Sequence, residues 1–251
     1  MILADPPPSP ADLHFRVFGV PVRVHPWFWI ISLVMGLGGG DAADPVNTLL
    51  WVAVVFVSIL IHELGHAFLQ RKFGGHPRIT LYGLGGLAAC DDCDRSPRSQ
   101  ILISLAGPAA GFLLAALVVA ILVAAGHFRG FEWDLMPVNW VPFDLDYWRS
   151  NGKPSFRDSA ILDLLWVNIF WGLVNLLPIY PLDGGRVSRE LLTLGHPRHG
   201  IVQSLWLSIF AAAAVAAFGM LVLQSFFMAI FFGYLAYANY QTLQAYEQHW
   251  R

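Results

Sequence analysis

S-I-L-I-H-E-L-G-H-A-F-L-Q, residues 58–70, is the stretch from which the rest of the chain is read. His62 and His66 are four residues apart, so on a helix they share one face, about 6 Å apart along the axis. Two imidazoles so placed can grip one metal ion, and Glu63 beside them can take a proton from a water bound to it. The stretch lies inside an apolar run that begins near Asn47 and stops at Arg71 and Lys72, long enough to cross a bilayer. An ionisable side chain at mid-membrane costs about 2.5–3.5 kcal/mol on insertion scales. A polar cluster snorkelling to a helix end is the plain alternative. A bound cation answers the cost more directly, because it offsets the carboxylates and uses the imidazoles.

The composition agrees with a membrane setting. Of 251 residues, 56% are hydrophobic and only 13% charged, against about 25% charged in soluble domains. A formal net charge of −2 points to neither nucleic acid nor a polyanionic partner. The opening M-I-L-A-D-P-P-P-S-P has neither the basic start nor the apolar core of a cleavable signal peptide. Cys90 and Cys93 make one C-x-x-C, too little for a disulfide scaffold, and are read as two reduced thiols. The expected fold class is an all-α polytopic membrane protein, with about six transmembrane helices and a small membrane-associated β-sheet or hairpin. Residues 1–12, Pro-rich and polar, read as a disordered tail before a single domain over 13–251.

Six spans are expected, at about 26–40, 47–70, 99–125, 159–182, 201–223 and 226–245. Before the first, F-R-V-F-G-V-P-V-R-V-H-P alternates enough for a strand or hairpin. His25, at this membrane entry, is read as structural. Residues 79–89 mix β-formers with small residues and show no helical period. They read as a strand or hairpin that must pair within the protein, line a wet cavity or pair with a substrate. The polar stretch 127–158 holds Trp133, Trp140, Tyr147 and Trp148, the aromatics of a membrane–water interface. The fourth span breaks at N-L-L-P-I-Y-P-L-D-G-G-R, where Pro178 and Pro181 deny backbone donors and Gly184–Gly185 favour a turn.

With both termini inside, eleven Lys and Arg fall on inner segments (Arg16, Arg23, Arg71, Lys72, Arg78, Arg95, Arg98, Arg186, Arg189, Arg198, Arg251). Four fall outside (Arg129, Arg149, Lys153, Arg157). That bias is the positive-inside pattern, and it brings the inner ends of spans two and four to one level. Asp183 is then the best-placed third ligand for a zinc held by His62 and His66, one ion per chain, with Glu63 as general base. Asn175, eight residues before Asp183, can hydrogen-bond a substrate carbonyl or act as helix–helix glue. A strand of Ile79, Thr80, Leu81, Tyr82, Gly83, Leu84, Gly85 and Gly86 can hold an unwound substrate by β-addition.

Three motifs carry a family resemblance: H-E-L-G-H at 62–66, G-P-A-A-G at 107–111 and N-L-L-P-I-Y-P-L-D-G-G-R at 175–186. The entry segment G-V-P-V-R-V-H-P-W-F at 19–28 adds to them. The sequence resembles the site-2 protease family of intramembrane zinc metalloproteases. The resemblance implies zinc on His62, His66 and Asp183, Glu63 as base, and cleavage of a substrate's transmembrane segment near the cytoplasmic side. It implies as partner a transmembrane protein, in bacterial members often an anti-sigma factor or another membrane-tethered regulator. It also implies a bacterial cell-membrane location. The 32 residues between the third and fourth spans are too few for the PDZ domain many members carry. The competing readings are a catalytically inactive relative that only binds transmembrane helices, and a membrane metal transporter. The transporter would string ionisable groups along a path, which spans one, three, five and six lack.

Overall fold

The computed structural model describes residues 6–37, 45–83, 85–126, 128–130, 144–145, 156–195 and 197–249. In chain order the elements are β1 (Leu13–Val17), β2 (Val20–Val24), α1 (Pro26–Leu37), α2 (Pro45–Lys72), β3 (Arg78–Tyr82), β4 (Gly85–Ala89) and α3 (Pro97–Ala124). Two short strands follow, β5 (Phe128–Gly130) and β6 (Asp144–Leu145). The chain then runs through α4 (Phe156–Asn175), α5 (Asp183–Thr193), α6 (Pro197–Leu221) and α7 (Phe226–His249).

Local sequence explains the central helices. Pro45 opens α2 at a position where its missing N–H costs nothing. Arg71 and Lys72 complement the dipole in its last turn. Gly74 then takes φ +86° and ends the helix in the left-handed conformation that glycine tolerates. Helix α3 is started by Ser96, whose Oγ accepts from Ser99 N at 3.4 Å, followed by Pro97 at the first helical position. Helices α2 and α3 approach so closely at Gly65 that a side chain there would collide with the Ala106 carbonyl. Helix α4 is tied to α2 inside the apolar interior, where the Asn168 amide donates to Ser58 Oγ at 2.8 Å.

A four-stranded sheet, ordered β1-β2-β3-β4, lies against α2. The β1–β2 hairpin turns on Phe18 and Gly19, at φ 49° and 81°, matching a two-residue turn of the primed kind. Strand β2 pairs in parallel with β3 (Val22 with Ile79, Val24 with Leu81), and β3 pairs antiparallel with β4. Val20, Val22, Val24, Ile79 and Leu81 form the buried face, packed with Val55 and Ile59 of α2.

Several expectations change. Three described helices are long and apolar enough to cross a bilayer: α2, α3 and residues 199–221 of α6. Of the other three expected spans, α1 is apolar but only 12 residues long. The remaining two correspond to α4 and α7, which are interrupted by polar side chains. Helix α5 is an addition: Gly184 and Gly185 read as a turn, yet they start a helix pressed against the carbonyls of Leu176 and Ile179. The tail is anchored from residue 6, because Arg23 donates to the Pro6 carbonyl at 2.8 Å and meets Asp12 at 3.2 Å. The Cys90 and Cys93 thiols are not free but joined in a disulfide. The loop after β4 folds back onto the end of α2, and Gly75 leaves room there for both sulfurs. The interface aromatics Trp133, Trp140, Tyr147 and Trp148 lie outside the described residues.

Candidate metal centre

His62 and His66 project from α2, and Asp183 opens α5, more than a hundred residues later. Their ligand atoms meet as a nearly equilateral triangle. His62 Nε2 is 3.1 Å and His66 Nε2 3.3 Å from Asp183 Oδ2, and the two nitrogens are 3.2 Å apart. All three residues are buried. His66 Nδ1 donates to the Ile103 carbonyl of α3 at 2.7 Å. That bond fixes the tautomer and turns the Nε2 lone pair toward the triangle. A lone pair and a carboxylate oxygen are therefore aimed at one buried point, with the second imidazole edge-on to the first at a centroid distance of 4.9 Å. Such a donor set calls for a cation. Tetrahedral ligation at about 2.0–2.1 Å spaces neighbouring donors by about 3.3 Å, which the triangle matches. The residues fit a zinc-class ion.

Glu63 also lies here, its carboxylate within 4.8 Å of the ligand nitrogens of His62 and His66. By that measure alone Glu63 and Asp183 compete for the third ligand position. Asp183 has its Oδ2 against both imidazoles, at 3.1 and 3.3 Å. Glu63 points instead toward β4, where its carboxylate fills the space a side chain on Gly86 would need.

A cavity of about 110 Å³ opens on the cluster, lined among others by Tyr82, Gly86, Trp171, Asn175, Arg186 and Tyr234. Asn175 thus reaches the site. Its amide donates one hydrogen to the Trp171 carbonyl at 2.9 Å, leaving a second N–H. The described residues of the expected docking strand are divided between β3, the turn after it and the start of β4. Strand β3 is paired on both sides, so Ile79, Thr80 and Leu81 have no free edge to offer, and Ile79, Leu81 and Tyr82 are buried. The edges of the described sheet are β1 and β4, and it is β4, beginning Gly85–Gly86, that lies beside the cluster. Gly83 packs near Ile31 and Trp27 of α1, and Leu84 lies outside the described residues. His25 stands apart from the cluster, accepting the Trp27 N–H on its Nδ1 at 3.3 Å.

Gly107, quoted from the sequence only as part of G-P-A-A-G, has a specific task at the site. A Cβ at Gly107 would overlap His66 Nε2 and lie 2.7 Å from His62 Nε2. The G-P-A-A-G segment therefore does two jobs: a Cβ at Gly111 would meet Asn168 of α4 at an ordinary 3.4 Å, while Gly107 makes room for the imidazoles. The available signal was the position of G-P-A-A-G on the helix that follows H-E-L-G-H.

A family model described as Peptidase family M50 matches residues 50–139 and 155–217, more than half of the sequence. The chain belongs to peptidase family M50. Within this family, a zinc metalloprotease of Methanocaldococcus jannaschii is 28% identical over 180 residues, covering 71% of this chain and 44% of the relative. The stage IV sporulation protein FB of Bacillus subtilis is 29% identical over 171 residues, covering 66% and 46%. The chain spans less than half the length of each. The solved site-2 protease from Methanocaldococcus jannaschii superposes with a TM-score of 0.59 at 23% identity, covering 92% of this chain and 95% of that one. M50 membership and the three long apolar helices make this an integral membrane protein.

Proposed function

We propose that this chain is an intramembrane zinc metalloprotease that hydrolyses a peptide bond in or near the transmembrane segment of a membrane protein. The observation behind this reading is the meeting of three donor atoms from α2 and α5 at one buried point beside a cavity. The zinc named for the relatives suits that donor set. When bound, zinc supplies a Lewis-acid centre that brings the pKa of a coordinated water to about 7.

His62, His66 and Asp183 hold the ion, and the Ile103 carbonyl keeps the His66 ring in register. Glu63 accepts the proton of the attacking water on its carboxylate and returns it to the departing amide nitrogen. Asn175 offers its remaining N–H to the scissile carbonyl as negative charge develops there. A membrane helix hides its peptide bonds in its own hydrogen bonds, so the substrate must be unwound before attack. The β4 edge, beside Glu63, supplies backbone partners for such an extended segment. Trp171 and Tyr82 wall the cavity and limit bulk water.

The charge bias of the sequence supports both termini and the site on the cytoplasmic side of the membrane, which we take to be a bacterial cell membrane. The substrate class we favour is a membrane-tethered regulator such as an anti-sigma factor, in keeping with a relative named for sporulation. The test is incubation of purified protein with a candidate transmembrane substrate, with and without a chelator, beside Glu63→Gln. Cleavage that stops with chelator and in the variant is expected. Cleavage that survives either one contradicts the mechanism.

A further inference from the structure

We propose that the loop after β4 is a second, zinc-class metal site in its reduced form, built from Cys90, Cys93, Asp92 and His76. The ligand atoms of Cys90, Asp92 and Cys93 all lie within 4.8 Å of one another. Cys90 Sγ is 3.4 Å from Asp92 Oδ1. The other oxygen of that carboxylate meets His76 Nδ1 at 2.6 Å, and the His76 backbone N–H donates to Oδ1 at 2.9 Å. Two sulfurs, a carboxylate and an imidazole thus gather on the two short segments that flank the β3–β4 hairpin. Gly75 is part of the construction, because a side chain there would overlap both sulfurs. The loop is held from outside as well, with Arg78 paired to Asp91 and Cys93 Sγ 3.7 Å from the Gln70 carbonyl at the end of α2.

This donor set is of a different kind from the buried centre. Thiolates select zinc and similar borderline-soft ions, and two thiolates with an imidazole and a carboxylate complete a tetrahedron. Disulfide and metal are alternative states of the same pair. The disulfide takes two electrons and two protons from a dithiol reductant, which itself closes to a disulfide, giving two thiols. Both thiols then lose their protons as the ion binds. Tetrahedral zinc needs the sulfurs about 3.8 Å apart, a separation the half-buried side chains reach by rotation. The site clamps the end of β4 to the end of α2, since Gln70 also donates to the Ala88 carbonyl at 3.1 Å.

The test uses the full chain in detergent, reduced with a phosphine and loaded with cobalt(II) as the probe. In a His62→Ala/His66→Ala background the buried centre is removed, so failure of the protease reading leaves this test intact. One cobalt per chain with a thiolate-to-cobalt charge-transfer band is expected. The band should vanish in Cys90→Ser/Cys93→Ser and weaken in His76→Ala, with affinity falling about 10–100-fold. In the native chain, saturating zinc should protect both thiols from alkylation, a readout that does not depend on the folding of any variant. No charge-transfer band while both thiols are free, or full alkylation under saturating zinc, overturns the proposal.

Discussion

Two histidine–aspartate contacts in this molecule have similar geometry and opposite surroundings. His62 and Asp183 meet at 3.1 Å with side chains 4% and 7% exposed; His76 and Asp92 meet at 2.6 Å with side chains 90% and 51% exposed. The shorter contact is the weaker one. At the surface, water competes for both partners and weakens such a pair. In the interior each group has lost its water, so removing one partner strands the other. Distance alone does not rank the two clusters; burial does.

The largest expected effect lies at Glu63. Glu63→Gln should lower peptide hydrolysis by about 10²–10⁴-fold while leaving zinc bound, read by turnover alongside metal content. Loss of metal in that variant would make Glu63 a ligand and redraw the buried cluster. Next is Gly107→Ala, whose added methyl occupies the space of the two imidazoles. A displacement of about 1 Å at the ligands costs about 100-fold in rate. Gly111→Ala, on the same helix but in ordinary contact with Asn168, serves as the comparison and should change activity little.

Asn168→Ala removes the buried bond to Ser58. Its expected cost is about 0.6 kcal/mol and at most about 1.7, read as a lower unfolding midpoint with the active site intact. The smallest effect lies far from both clusters, at Asp12. The Ser9 backbone N–H, and then Arg23, hold its carboxyl below the usual carboxylate range. A carboxyl lowered in the folded state stabilises above its ordinary pKa of 3.8 and loses that contribution as pH falls through the lowered value. The unfolding midpoint of the parent should therefore drop more between pH 5 and pH 2 than that of Asp12→Asn, by a small margin. Equal slopes would show the tail's anchor to be idle.

The parts legible in the sequence were those with chemistry at fixed spacing. His62 and His66 are one helical turn apart, and Asp183 follows a proline break at the matching end of another helix, so both could be placed from the sequence. The glycines could not, because Gly107 and Gly86 act by what they lack, and only the packed neighbour reveals the need. The hairpin at 79–89 was visible, but its pairing with β2 is parallel and spans more than fifty residues, so β3 looked like an edge when β4 is one. Helix α5 was hidden for a local reason: Gly184–Gly185 favour a turn, and close packing on Leu176 and Ile179 overrides them. At Cys90 and Cys93 the spacing was plain, while the state of the sulfurs depended on Gly75 across the loop.

The central claim is that Asp183 completes a metal site with two imidazoles from a distant helix. Its most direct test is zinc affinity with and without Asp183→Ala, measured in a Cys90→Ser/Cys93→Ser background so that only the buried cluster is read. The account predicts one zinc per parent chain and at least about 100-fold weaker binding in the variant. Unchanged affinity would contradict it.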